Sequence, residues 1–227
     1  VAIKQEPPYY YALMKKLYFF GLLTILLLTL TGCGGGSDAA QPVTRTAIIL
    51  SDQPTDGDIA FDPVNEFFTV TQGPPALFFG IDDLDPNFPE YRAFLDFPLD
   101  GSTEGDVVPA SAFIVSATLE VFVNEVNFAA VVPTLIDLVI YPVSGLGVAD
   151  YDSPPLLTRS VNFFQSDQGA YVSINVTSLM REAQELALTD LQLRFILDLD
   201  EPNGFVGIDD QPNVALTAPQ LTVRYQL

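Results

Sequence analysis

Carboxylates are the chemistry this sequence offers in quantity. Asp82, Asp83 and Asp85, with Asn87, follow Phe79-Gly80-Ile81, and Asp209 and Asp210, with Asn213, follow Phe205-Val206-Gly207-Ile208. Asp198, Asp200, Glu201 and Asn203 form a third acidic loop. Calcium takes about six to eight oxygen ligands from carboxylates, Asn side chains and backbone carbonyls. These loops are therefore candidates for one structural Ca²⁺, around Asp82–Asp85 or Asp209–Asp210. The D-x-D-x-D-G spacing of an EF-hand is absent, and solvated acidic turns are the plain alternative. The repeated Gly-Ile-Asp-Asp phrase predicts two similar strand-to-loop exits that are neighbours in space.

Two carboxylates also suffice for glycoside hydrolysis when they stand about 5 Å or 6.5–9.5 Å apart. Nothing in the sequence selects such a pair. Sugar recognition without catalysis needs aromatic faces for pyranose rings and polar groups for the hydroxyls. Tyr91, Tyr141, Tyr151, Tyr171, Arg92 and Arg194 are the available parts. Period-two patterning puts Tyr141 and Tyr171 on outward faces, and leaves Arg92 and Arg194 to meet an acidic sugar. Each is equally readable as an ordinary sheet-surface residue. Phe122, also on a wet face, points to cover by a loop or by a partner protein.

Absences narrow the chemistry further. The chain has no His and a single Cys, Cys33. Ser-His-Asp and Cys-His nucleophile systems, His-ligated zinc hydrolysis and His acid–base catalysis are excluded, and so is an intrachain disulfide. The expectation is a protein that is not an enzyme.

Cys33 has its own setting. Lys15 and Lys16 after Met14 make a positive n-region, Leu17–Thr31 is an apolar run of 15 residues, and Leu30-Thr31-Gly32-Cys33 closes it. A bilayer-spanning helix needs about 20 apolar residues, so this run has the length of a signal-peptide core. The pattern resembles the lipobox of bacterial lipoproteins, in which the Cys becomes the acylated N-terminus. That resemblance implies export, a membrane anchor through lipid on Cys33 and, with Gly34 rather than Asp behind it, sorting to the outer membrane. Residues 1–13 read as an upstream extension, 14–32 as the signal peptide, 33–44 as lipidated Cys and flexible tether, and 45–227 as the folded domain.

Beyond Cys33 stand six Arg, no Lys and 28 Asp plus Glu, a formal charge of −22. Nucleic acid is excluded as a partner, because phosphate binding needs clustered Lys and Arg. An acidic surface of this kind stays hydrated in a saline habitat.

The elements that must position these residues read as strands. Ala117–Val123, Tyr171–Val176, Leu191–Leu199 and Leu221–Tyr225 alternate apolar with polar residues, giving each one buried and one wetter face. Weaker strands are expected at Arg45–Leu50, Glu66–Thr71, Leu77–Ile81, Tyr91–Phe97, Leu135–Val143 and Leu157–Phe163, separated by QPTDGD, QGPP, DPNFPE, DSPP and DEPNG. Leu179, Ala183 and Leu186 are spaced for one short helix near 178–187, with Thr177 and Ser178 as N-caps. The predicted fold class is all-β: an antiparallel two-sheet β-sandwich of the jelly-roll or Greek-key type, with that helix at one end.

Four blocks carry a family resemblance: Tyr91-Arg-Ala-Phe-Leu-Asp-Phe-Pro-Leu, Ile114-Val-Ser-Ala-Thr-Leu-Glu-Val-Phe-Val, Ile174-Asn-Val-Thr-Ser-Leu-Met-Arg-Glu and Pro219-Gln-Leu-Thr-Val-Arg-Tyr. Together they resemble the DNRLRE-domain group of secreted bacterial β-sandwiches, similar to carbohydrate-binding modules. The string that names the group is absent, as is the aromatic residue often found in its short helix. The resemblance implies a β-sandwich that binds polysaccharide. The resulting expectation is a non-catalytic, lipid-anchored envelope protein that binds glycan or serves as a surface recognition scaffold. Its alternatives are a lipoprotein binding another envelope protein and, third, a carboxylate-based polysaccharide-degrading enzyme.

Overall fold

Alternation of apolar residues becomes antiparallel strands. The computed structural model describes residues 43–103, 105–198, 203–211 and 217–227. The signal segment, Cys33, the tether up to residue 42, Asp200, Glu201 and Asn213 lie outside the described residues. The strands are β1 (Thr44–Leu50), β2 (Gly57–Asp62), β3 (Phe67–Gln72), β4 (Ala76–Ile81), β5 (Glu90–Pro98) and β6 (Phe113–Asn127). After them come β7 (Val131–Leu138), β8 (Leu157–Phe164), β9 (Ala170–Asn175), the helix α1 (Thr177–Glu185), β10 (Asp190–Leu197), β11 (Gly204–Asp209) and β12 (Gln220–Gln226).

One continuous path, β1-β12-β6-β11-β4-β5-β10-β7-β8, connects them, with β9 added on β6 and the β2–β3 hairpin on β5. Two long strands make the branching possible. β6 pairs β12 over Phe113–Glu120 and β11 over Val123–Asn127, while β9 takes Thr118–Val123. β5 pairs β2 over Glu90–Phe94, β4 at Glu90 and Tyr91, and β10 over Ala93–Pro98. Because each long strand serves different neighbours along its length, the sheet curls into two layers. Their inner faces meet in a core that includes Ile49, Phe79, Leu95, Phe97, Leu119, Val121, Leu138, Phe163, Phe195, Val206 and Val223. Burying each such side chain is worth about 1.5–3 kcal/mol.

A second, smaller core corrects the sequence reading. Ile59, Phe94, Val139, Tyr141 and Tyr151 cluster with Phe61, Phe68, Val70 and Leu146 on the other face of β2 and β5. The expected strand Leu135–Val143 is instead β7 from Val131, ending at Leu138. From Val139 the chain leaves the sheet, folds over this outer face, and returns where the Leu156 amide donates to the Leu138 carbonyl. Gln192 clamps the cover at two points, accepting from the Tyr141 amide at 2.8 Å and donating to its carbonyl at 3.0 Å. β10 therefore has no wet face: Gln192, Arg194 and Ile196 are all buried. Tyr141, expected outward, is 3% exposed.

The helix forms as expected but its details differ. Leu179 and Ala183 are buried, whereas Leu186 is exposed and Met180 takes its place. Thr177 does not cap. Its hydroxyl instead ties α1 to β6, accepting from the Ala117 amide at 3.0 Å and donating to the Ala117 carbonyl at 3.3 Å. Among the described residues no helix is long and apolar enough to cross a membrane.

Candidate functional site

Two places gather chemistry, one polar and buried, one aromatic and half-buried. The polar one is built by the segment Ser51–Asp56, between β1 and β2, folding against the end of β5 and the exit of β11. Its backbone is fixed by the Ser51 amide on the Pro219 carbonyl at 3.1 Å and the Asp52 amide on the Asp96 carbonyl at 2.8 Å. Asp56, Asp96 and Asp210 are brought inside, each with 0% exposure. The Asp96 amide donates to Asp56 Oδ1 at 2.6 Å, and Thr55 Oγ1 donates to Asp96 Oδ2 at 3.1 Å. Ser51 Oγ donates to Asp210 Oδ1 at 3.2 Å.

Electrostatics in this cluster run against ionisation. Burial, then the charge of Asp210, pushes Asp56 well above the usual carboxylate range, against the Asp96 amide and Ser51. Burial also pushes Asp210 up to about 7, helped by Asp209 and Asp52 and opposed by Ser51. Asp96 rises to about 7 through burial and the nearby Asp190 and Asp52. Tyr141 rises well above its ordinary value through burial, then the charges of Asp56 and Asp96. Asp56 Oδ2, Asp96 Oδ1, Asp210 Oδ2 and the Tyr141 hydroxyl are buried without a hydrogen-bond partner. A cavity of about 220 Å³ lined by Ser51, Asp52, Gln53, Ser102 and Thr103 borders Asp210.

The aromatic place lies on the outer face of β4 and β11. Phe78 pairs across the ladder with Gly207, and Phe205 with Gly80. Gly207 leaves room for the ring opposite it, since a Cβ there would stand 3.0 Å from Phe78 Cε1 and from Glu125 Cγ, whereas at Gly80 a Cβ would meet the backbone of Gly204. The two rings stack with centroids 5.3 Å apart and planes 9° apart. Tyr91 meets Phe205 edge-on at 5.5 Å, and Phe128 adds a fourth ring at 6.3 Å. Phe205 is buried, while Phe78, Tyr91 and Phe128 are half-buried. Glu125 and Asn127, hydrogen-bonded at 2.7 Å, share this face through their pairing with Gly207 and Phe205. Burial raises the Tyr91 hydroxyl above its ordinary value, with Asp58, Asp82 and Asp85 adding to it.

The residues expected to bind sugar are dispersed. Tyr91 joins the aromatic ledge. Arg92 is committed inward, donating to Glu90 at 3.0 Å, to the Tyr151 carbonyl at 2.6 Å and to Asp152 at 2.8 Å, and stacking 3.7 Å above the Tyr151 ring. Arg194 is buried in an ion pair with Asp137 at 2.8 Å and also donates to the carbonyls of Asp150 and Tyr151. It does not face solvent, because the 139–156 cover lies over it. Tyr171 alone stands outward as expected, half exposed beside Phe122 with ring centroids 5.2 Å apart.

The acidic loops also part company. β4 and β11 are neighbours, as the repeated phrase suggests, but they pair antiparallel. Asp82 and Asp83 therefore leave one end of the ladder and Asp209 and Asp210 the other, about 20 Å away at 3.4 Å per residue. At the first exit, Asp82 Oδ1 accepts from the Leu84 amide and Asp85 Oδ1 from the Asn87 amide, both at 2.9 Å. Asp198 is anchored by its amide on the Pro133 carbonyl at 2.9 Å. No group of three or more Asp, Glu, Cys or His side chains among the described residues is arranged to hold a metal ion.

The buried cluster was not foreseen from sequence. QPTDGD reads as a turn between strands, yet it supplies Asp56 and the start of β2. No local signal marks it, because Asp56, Asp96 and Asp210 stand far apart in the sequence and only the strand topology joins them. No protein-family model matches this chain. No curated protein matches it either.

Proposed function

We propose that the chain is a non-catalytic, lipid-anchored envelope protein whose β-sandwich recognises glycan on the Phe78–Tyr91–Phe128–Phe205 ledge. The observation that carries this is the stacked pair Phe78 and Phe205, with Gly207 leaving room for the Phe78 ring, rimmed by Glu125, Asn127 and the acids near Tyr91. Flat aromatic faces take the apolar face of a pyranose, and carboxylates and amides accept and donate to its hydroxyls. A rim of acids favours neutral or amino sugars and repels uronates, so the acidic-sugar expectation built on Arg92 and Arg194 gives way. Non-catalysis is supported by the carboxylate pair Asp56 and Asp210. Both are fully buried, whereas glycosidase carboxylates must flank an accessible bond. The membrane anchor rests on the Lys15-Lys16, apolar-run and Cys33 pattern, and the four blocks similar to DNRLRE domains support the glycan-binding sandwich.

A glycan array tests the recognition reading. Binding to neutral or amino-sugar polysaccharides, lost in Tyr91→Ala and Phe78→Ala and kept in Tyr171→Ala, is expected. The pairing of half-buried Phe122 with exposed Tyr171 favours a second reading, docking of another envelope protein on the β6–β9 surface. An empty array, together with pull-down of an envelope protein that Tyr171→Ala abolishes, would establish that reading instead. Cys33→Ser is expected to move the protein from the membrane to the soluble fraction with the domain still folded.

A further inference from the structure

Four buried oxygens of the polar cluster have no hydrogen-bond partner: Asp56 Oδ2, Asp210 Oδ2, Asp96 Oδ1 and the Tyr141 hydroxyl. Asp56, Asp96 and Asp210 have no exposed surface, and Tyr141 is 3% exposed. Ser51, in the same segment as Asp56, gives its one hydroxyl hydrogen to Asp210 Oδ1 at 3.2 Å, and the charge of Asp210 bears on Asp56. Two ionised carboxylates buried together need a positive charge or a proton between them. The Ser51–Asp56 segment supplies only oxygen ligands: carboxylates, a hydroxyl and backbone carbonyls. Oxygen-only surroundings suit a hard cation, and calcium tolerates irregular geometry where magnesium demands an octahedron.

We propose that Asp56 and Asp210, with Ser51, bind one divalent cation of the calcium class. No third carboxylate completes a cage among the described residues. The remaining ligands are backbone carbonyls and waters, as is usual for calcium. The side from which the cation enters is the cavity lined by Asp52, Gln53, Ser102 and Thr103, which borders Asp210. Binding fastens the Ser51–Asp56 segment to the exit of β11, so the ion acts as a clasp between the first and last parts of the domain. The clasp stands at the opposite end of β11 from Phe205, so this proposal and the glycan ledge fail separately.

Isothermal titration of the full chain in mild detergent, after removal of metals, tests it with calcium chloride as the probe. The expected result is one calcium per chain and a Tm higher by roughly 5–10 °C at about 100-fold excess over Kd than in EGTA. Asp210→Asn and Asp56→Asn are each expected to abolish both effects. Should those variants not fold, Ser51→Ala keeps the test open, with weaker calcium binding and a smaller shift in Tm. Terbium luminescence excited through tyrosine gives a local readout, expected to drop in Tyr141→Phe while calcium still binds. A flat titration with the same Tm in calcium and EGTA overturns the proposal. So does wild-type calcium affinity in folded Asp210→Asn, and a proton shared by the two carboxylates would then explain the cluster.

Discussion

The same four residues, Gly-Ile-Asp-Asp, end in opposite surroundings at the two ends of one ladder. After β4 the strand stops at Ile81, and Asp82 and Asp85 turn outward to cap their own turn. After β11 the strand continues through Asp209, and the Asp210 amide is held by the Pro75 carbonyl at 2.9 Å. One more residue of pairing therefore carries an acid inside. Local sequence is nearly identical, so the difference lies in what packs beyond the strand end: a hairpin loop at Asp82, and the Ser51–Asp56 segment at Asp210. An acid-rich motif thus says that carboxylates are present, while the neighbouring chain decides whether they are hydrated or confined.

Confinement is tolerable when a partner is provided, and removing the partner is the strongest perturbation available. Arg194→Ala would leave Asp137 buried and uncompensated, and is expected to lose about 3–5 kcal/mol in urea denaturation. A loss below about 1 kcal/mol would show that the cover over β10 opens to water. Next in size is Asp210→Asn in EGTA at pH 8, where it removes one of two like charges. A gain on the order of 1 kcal/mol is expected, and a loss of that size would mean that the wild-type pair is satisfied without an ion.

The pH dependence in EGTA has a definite sign. Asp58 is raised to about 6, and Asp96 and Asp210 to about 7, chiefly by burial. Unfolded carboxyls titrate near about 4, so the folded state binds more protons between these limits and stability falls as pH rises from about 4 to about 7. Thermal melts across that range check it, and a stability that rises instead would contradict the burial of these acids. Calcium is expected to flatten the fall, because the ion competes with those protons. Smallest of all, Asp82→Ala and Asp85→Ala are each expected to cost about 0–1 kcal/mol, as exposed turns do. A larger cost would give the outer turn a role that its hydrogen bonds do not suggest.

Much of the fold was legible because period-two burial is a local property. β1, β4, β8 and β12 lie within a residue or two of where alternation puts them. Alternation assumes one wet face, however, and β10 has none, because a segment some fifty residues earlier in the chain folds over it. Gln192, Arg194 and Tyr141 look like surface residues for that reason and are buried for a nonlocal one. β2 was hidden because Gly57 and Asp58, turn formers by type, stand inside it. The carboxylate cluster was illegible for the same cause: Asp56, Asp96 and Asp210 are separated by 40 and 114 positions, and only topology brings them together. Tyr91 was singled out as a sugar-binding candidate, but its neighbours Phe78 and Phe205 read only as core, since Gly207, which leaves room for the Phe78 ring, lies on the partner strand.

The most direct test is a calcium titration of two variants side by side, Asp210→Asn and the double substitution Asp82→Asn with Asp83→Asn. The account predicts that calcium binding disappears in the first and is unchanged in the second. Binding that survives in Asp210→Asn and is lost in the double variant would place the ion at the outer turn and contradict it.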